Sequence, residues 1–461
     1  MKREASIRVA LKLEDVPRSD PMETIRRASR MVSTRVGIVQ RVSHGTYHAQ
    51  DPATFAMGIM ASDISRFSET ANSSKGGGGG EILVGALAAT LGEAAERYCM
   101  FFYDKKQMVF APYREIAADA VSPDLVRLYS RQQIEGLGPG ARVRYFNDDT
   151  PARWVWGYSL TDEKPRLVPA SFVYMNYQYD DDEPVIGRNA SSGLAGHLTL
   201  EEAILTGILE LVERDAFTIC WLSKRPGRKV IIDDEETEKL LREKFHYGHP
   251  KVETHIHDVT LDVPIPSFFT WIERPTEMGP AVCVGSTSRL DPKAALRKCF
   301  LEAGQGIPYF RFLLGQLKDW EPSDDFMNVT SFDHHCVFYL KRPDLVPEAF
   351  SFLEDVEGEV PLSSIKNRST GRVLGDIQAC VELLRQAGLE VIVVEITTPD
   401  IREIGLRVVR VIIPGMVPLH GVYKFPFLGS KRLAKFPLRA KPGQGNGHET
   451  ATFNTYPHPF P

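Results

Sequence analysis

Thr90-Leu-Gly-Glu93-Ala-Ala-Glu96-Arg97 and Gly207-Ile-Leu-Glu210-Leu-Val-Glu213-Arg214 are two copies of one helical phrase. Each sets two carboxylates three residues apart, followed at once by an arginine, among apolar neighbours. Residues three and four apart share a helix face, so each copy presents its charges together. For a helix over about 81–101, Val84, Leu87, Leu91 and Tyr98 fall on one stripe. Ala86, Ala89, Glu93, Glu96 and Met100 fall opposite. For a helix over about 200–222, with Thr199 as N-cap, Ile204, Ile208, Leu211 and Val212 oppose Thr206, Glu210, Glu213 and Arg214. A surface helix would scatter Lys, Gln and Arg over its polar side, whereas here that side holds small residues and acids. One isolated Glu-x-x-Glu-Arg is ordinarily an exposed helix with local ion pairs. Two copies in constant register (93 with 210, 96 with 213, 97 with 214) point instead to a shared pocket. Each follows a small-residue loop, Gly76–Gly80 in one case and Asn189–Gly196 in the other. A looser third copy, Glu302-Ala-Gly-Gln305, sits in a helix over about 291–309 behind a strand at Ala281–Gly285. Three such loop-then-acidic-helix units predict an α+β fold of pseudo-repeated, helix-covered sheets.

The rest of the 461-residue chain fits around these units. Residues 1–64 are mixed and polar, with a basic stretch at Arg26, Arg27, Arg30, Arg35 and Arg41 and a candidate strand at Gly37–Val42. They read as an N-terminal extension with a solvated or partner-facing surface. Residues 65–435 read as the main domain. Its segment 102–190 is strands and loops with aromatic runs, and 335–345 reads as a strand. A helix over about 377–387 ends at Gly388 and leads into apolar strands at 390–395 and 406–413, the second stopped by Pro414-Gly415. Residues 436–461 form a Gly/Pro-rich tail ending Tyr456-Pro-His-Pro-Phe-Pro461. The alternating prolines favour an extended, polyproline-type strand over a disordered end.

Composition narrows the function classes. Hydrophobic residues make up 43% and charged residues 25%, an ordinary globular balance. A net charge of −5 argues against a nucleic-acid partner held by bulk electrostatics. No apolar run approaches the roughly 20 residues that span a bilayer, so no membrane partner is expected. The first residues lack the apolar core of a signal peptide. The six cysteines are scattered without a Cys-x-x-Cys pair, which fits buried thiols in a reducing cytoplasm. His334-His335-Cys336 is a lone cluster and reads as structural.

Four glutamates brought together cannot all stay ionised without compensating cations, because like charges and burial both raise carboxyl pKa values. Arg97 and Arg214 supply two positive charges, and Mg²⁺, which favours carboxylate and phosphate oxygens, would supply more. Lys75 and the glycine run are suited to phosphate, through an ammonium and backbone N–H groups at a helix start. No glycine loop here ends in Gly-Lys-Ser or Gly-Lys-Thr, so the nucleotide site is not a Walker loop. A di-iron carboxylate bundle would need Glu-x-x-His on two helices, and neither copy has the histidine.

The two Glu-x-x-Glu-Arg helices, Glu302-x-x-Gln305, the Ser-x-Gly-Leu-Ala lead-in at 191–195, Glu210-Leu-Val-Glu-Arg-Asp215 and Pro-Gly-Met-Val-Pro-Leu at 414–419 resemble the YcaO family. The resemblance covers about 65–420. The terminal Pro-His-Pro-Phe-Pro resembles its azoline-forming peptide cyclodehydratases. The resemblance implies ATP and Mg²⁺ as cofactors, with Glu93, Glu96, Glu210 and Glu213 as metal ligands. It implies nucleotide contacts from Lys75, Thr90, Arg97, Ser192, Glu202, Arg214, Glu302 and Gln305. Thr90 stands where the family usually has Ser, and Gly196-His-Leu-Thr199 lacks an Asn common there. The implied reaction is ATP-dependent cyclodehydration of Cys, Ser or Thr in a ribosomally made precursor peptide, with the Pro461 carboxylate acting as or positioning a base. The implied partners are that peptide and a separate E1-like, leader-binding protein, with room for a flavin-dependent azoline dehydrogenase and a homodimer. The competing expectations are backbone thioamidation, which the proline-rich end disfavours, and a non-catalytic scaffold, which would have no use for buried acids.

Overall fold

Each acidic helix follows an edge strand, and the three edge strands belong to three different sheets. The computed structural model describes residues 11–65, 75–138, 140–187, 190–438 and 452–460. The first sheet is antiparallel and comprises β1 (Val39–His44), β2 (Phe55–Ala61) and β3 (Lys75–Gly80), preceded by helix α1 (Pro21–Ala28). Helix α2 (Leu83–Cys99) leaves its edge strand β3. The second sheet includes β4 (Val109–Pro112), β5 (Pro151–Ser159), β6 (Lys164–Pro169) and the edge strand β7 (Leu194–His197), from which α3 (Leu200–Leu222) departs. The third comprises β8 (Arg228–Ile231), β9 (Glu253–Asp258), β10 (Ser267–Thr276), β11 (Gly279–Ser288) and, farther along the chain, β12 (Glu359–Pro361). Its edge strand β11 leads into α4 (Pro292–Gln316). Helices α5 (Phe332–Lys341) and α6 (Ser351–Glu354) precede β12. Helix α7 (Val373–Gln386) and strands β13 (Ile392–Glu395) and β14 (Arg407–Ile412) then return the chain to the second sheet, in the order β4-β5-β13-β14-β7. No helix among the described residues is long and apolar enough to cross a membrane.

The central pair β13–β14 is apolar on both faces because both faces are covered. Ile392, Val394, Val408 and Ile412 enter the core beneath α2. Val393, Val409 and Val411 enter the core beneath α3 and α7. Helix α3 bridges cores, its first half packing there and Phe217, Cys220 and Trp221 packing on the third sheet. Its middle, which carries Glu210 and Glu213, therefore lies between two sheets. Local signals set its start, where the Thr199 hydroxyl accepts the Glu202 N–H at 3.2 Å.

Two sequence expectations are corrected. The glycine run is not a loop but strand β3, paired antiparallel with β2 from Phe55↔Gly80 to Met60↔Lys75. Glycine is a poor strand former, so the sequence signal favoured a loop. The strand needs it because β3 lies directly on the backbone of α2. A Cβ on Gly78 would come within 2.5 Å of the Thr90 nitrogen. The stretch 335–345 is also not a strand, since Phe332–Lys341 forms α5, capped by Ser331. His335 to Tyr339 are all buried, and a short helix buried on every side has the same unbroken apolar run as a buried strand.

Helix α2 crosses β7 at one point, where a Cβ on Gly196 would lie 2.7 Å from the Gly92 oxygen and one on Gly92 2.9 Å from the Gly196 oxygen. Gly92→Ala should destabilise the protein by about 1–3 kcal/mol even though alanine favours helix, because the backbones must separate. Urea unfolding checks this, and an unchanged or raised midpoint would contradict the tight crossing.

Candidate active site

A cavity of about 1480 Å³ lies where α2, α3 and α4 converge. Glu93, Glu96 and Arg97 enter it from α2, Glu210, Glu213 and Arg214 from α3, and Glu302 and Gln305 from α4. Ser192, just before β7, and Glu202, in the first turn of α3, also line it, and Gly76–Gly79 of β3 form part of the wall. The structure thus gathers ten of the residues expected from sequence. Thr90 is not among the lining residues. It is fully buried, and its hydroxyl donates to the Ala86 carbonyl at 2.7 Å inside α2. Lys75 begins β3, and its side chain lies outside the described residues, as does Pro461.

Each acid pair carries its own arginine. Arg97 Nε donates to Glu93 Oε1 at 2.7 Å. Arg214 Nη1 lies 3.1 Å from Glu213 Oε1, and its Nε lies 3.7 Å from Glu210 Oε1. The Gly193 N–H donates to Glu210 Oε2 at 3.1 Å. That residue holds φ +87°, a conformation suited to glycine. Burial raises the Glu96 carboxyl well above its ordinary range, and neighbouring Glu93 adds to the effect. Burial likewise raises Glu210, against the pull of Arg214, and pushes Glu213 up to about 8. Burial by itself would lower both guanidiniums, but the acids beside them more than reverse it. Gln305 Nε2 is buried without a hydrogen-bond partner. A site with four clustered carboxylates, arginines and an orphaned amide donor suits a hard cation with anionic oxygen ligands.

Three features of the site escaped the sequence reading. Arg410 of β14 is 1% exposed and donates to the Phe172 and Ala190 carbonyls at 2.8 and 2.7 Å. Burial brings its guanidinium down to about 10, while Glu210 and Glu96 act to keep it charged. An arginine set between valines in the middle of the strand was the available signal. Second, Glu202 is held from the N-terminal segment. The Ser19 N–H donates to Glu202 Oε1 at 2.8 Å, and the Ser19 and Thr199 hydroxyls donate to Oε2. Nothing local in the sequence joins residues 183 positions apart.

The third is the depth of the tail. Pro457 to Phe460 are buried, and Pro459 and Phe460 line the cavity. The Phe460 ring lies 4.7 Å from the Arg214 guanidinium carbon and 4.8 Å from the Phe217 ring. His458 stacks on His335 at 3.8 Å, and its Nε2 donates to the His420 carbonyl at 2.7 Å. Burial pushes the His458 imidazole down to about 4, so it is neutral near pH 7. The Tyr339 hydroxyl donates to the Pro457 carbonyl at 2.7 Å. His334-His335-Cys336 thus sits in the helix that anchors the tail.

Comparison with known proteins identifies the family and the fold. The family model described as YcaO cyclodehydratase, ATP- and Mg²⁺-binding, matches residues 77–417. An uncharacterised protein of Methanothermobacter thermautotrophicus is 29% identical over 293 residues, covering 62% of this chain and 71% of the relative. A heterocyclase solved in complex with substrate and cofactor superposes with TM-score 0.71 and 24% identity, over 89% of this chain. This chain spans 54% of that heterocyclase's length. The YcaO protein of Methanopyrus kandleri, bound with AMPPCP and Mg²⁺, superposes with TM-score 0.60 and 19% identity, over 87% of this chain and 92% of the other.

Glu213 offers a direct test of the electrostatics. Its unfolded carboxyl loses a proton near 4.5 and its folded one near 8. The protonated carboxyl's stability is complete below the first value and lost as pH rises through the second. Glu213→Gln should therefore stabilise the metal-free protein by about 1–2 kcal/mol at pH 8.5 and by less at pH 6. Denaturation at the two pH values measures this, and equal effects would refute the raised carboxyl.

Proposed function

The chain belongs to the YcaO family, whose domain binds ATP and Mg²⁺, and from that premise we propose that it is an azoline-forming peptide cyclodehydratase. Its substrate would be a ribosomally made precursor peptide, with Cys, Ser or Thr converted to thiazoline or oxazoline. A separate E1-like partner would present the leader of that peptide. The observation that carries this reading is the cavity in which four carboxylates and two arginines share space with a buried proline-rich tail. Compact ligand sites enclose about 300–1,000 Å³, so this larger cavity has room for a nucleotide beside a peptide segment.

Glu93, Glu96, Glu210 and Glu213 are the residues that would hold Mg²⁺. Arg97 and Arg214 would bind phosphate oxygens, with Ser192, Glu302 and Gln305 toward the nucleotide. Bound ATP supplies the phosphoryl group that turns an amide oxygen, a poor leaving group, into a good one. The chain contributes position and field. Arg97 and Arg214 face the cavity, and buried Arg410 behind the acids adds a third positive charge that favours anions there. Phe460 shields Arg214 from solvent on one side and narrows the space open to the peptide.

The test is to incubate the protein with ATP, Mg²⁺, a Cys/Ser/Thr-rich precursor and its leader-binding partner, then record peptide masses. Loss of one water per modified residue is expected. Sulfur-for-oxygen gain would replace this reading by thioamidation, and no change with no ATP turnover would leave a scaffold. Glu96→Gln and Glu210→Gln should each lower turnover by about 10²–10³-fold, as removal of a group stabilising transition-state charge does. Phe460→Ala should lower peptide turnover while leaving ATP binding within about twofold, since it removes packing and not a ligand.

A further inference from the structure

On the third sheet, β9 and β10 set Glu253 directly opposite Glu273. Like charges facing each other across strands destabilise a sheet. On the same face, His255 lies flat on Trp271, with ring centroids 3.9 Å apart and planes within 12°. That stacking fixes the direction of the imidazole edge. His255 Nε2 lies 3.2 Å from Glu253 Oε1 and is sealed from solvent. One ligand atom from each of Glu253, His255 and Glu273 falls within 4.8 Å of the other two. Burial raises the Glu273 carboxyl, and Glu253 and Glu354, the last residue of α6, add to the effect. Burial lowers His255, which favours the neutral imidazole that binds metal. Among the described residues no lysine or arginine forms an ion pair with Glu253, Glu273 or Glu354. Lys229, which acts on His255, is engaged with Glu359 at 3.3 Å.

The geometry points to a divalent-cation site formed by Glu253, His255 and Glu273, with Zn²⁺ as the fitting occupant. An imidazole nitrogen with two carboxylates suits Zn²⁺ and disfavours Mg²⁺, which prefers oxygen. Three protein ligands leave a position for water, and the ion's charge would cancel the two opposed carboxylates. None of the three residues lines the central cavity, so this site is separate from the one assigned to Mg²⁺ and ATP. Its place in the fold gives it a bracing role. Trp271 under His255 packs on Phe350 at 4.9 Å, and Phe350 packs on Trp221 at 5.3 Å. The Trp221 Nε1–H donates to the Tyr456 carbonyl at 3.1 Å, so a cation here would stiffen the aromatic layer that holds the tail.

The experiment is calorimetric titration of Zn²⁺ into chelator-stripped, full-length protein in excess Mg²⁺. One tight equivalent is expected, weakened at least about tenfold by His255→Ala and by Glu273→Gln and unchanged by Glu213→Gln in the cavity. Without metal, Glu273→Gln should melt at or above the unsubstituted protein, since it removes a like-charge contact, so lost binding is not lost folding. Zn²⁺ affinity unchanged in both sheet variants would overturn the site, as would an equal loss in Glu213→Gln.

Discussion

Four carboxylates in one cavity repel each other, and desolvation adds to the cost of keeping them charged. The structure meets that cost with guanidiniums at two depths. Arg97 and Arg214 stand beside the acids as ion-pair partners, each one turn or less along the same helix. Arg410 stands behind them in the sheet, anchored to two carbonyls, and acts on Glu96 and Glu210 through the protein interior. The compensation is incomplete, because Glu96, Glu210 and Glu213 all remain raised. A small, hard cation placed among these acids would favour their charged forms and offset the remaining repulsion.

Bringing the acids together also demands close backbone approach. Two helices carrying full side chains at their contacts pack 8–10 Å apart. Here the glycine strand β3 lies against α2, and α2 meets β7 through Gly92 and Gly196. The small residues that look like loop composition are therefore packing surfaces. They let Glu93 and Glu96 of α2 share a cavity with Glu210 and Glu213 of α3, although the two helices start from different sheets.

The two ends of the described chain converge on this cavity. Ser19 saturates the carboxylate of Glu202 near the start of α3, and Phe460 stacks over Arg214 toward its middle. Both contacts bind segments without regular secondary structure to α3, whose middle carries Glu210 and Glu213. The site is thereby enclosed by residues more than 400 positions apart.

Much of this was legible in the chain itself. The acidic helices, their apolar stripes, the Thr199 cap and the apolar strands β13 and β14 follow from periodicity and capping, which are local. The register of the two Glu-x-x-Glu-Arg copies carried the inference that their acids share a pocket, and the resemblance to the YcaO family supplied ATP and Mg²⁺. Local signals misread the glycine run and α5, because strand pairing and all-round burial depend on partners far along the chain. Only the tertiary structure showed that Thr90 turns inward to Ala86, that Arg410 backs the acids, that Ser19 holds Glu202, and that the tail is buried against His335 and Phe217. Residue type and spacing determine which groups a helix face presents. Which groups lie across from that face depends on packing between distant segments, and the pKa shifts follow from that packing.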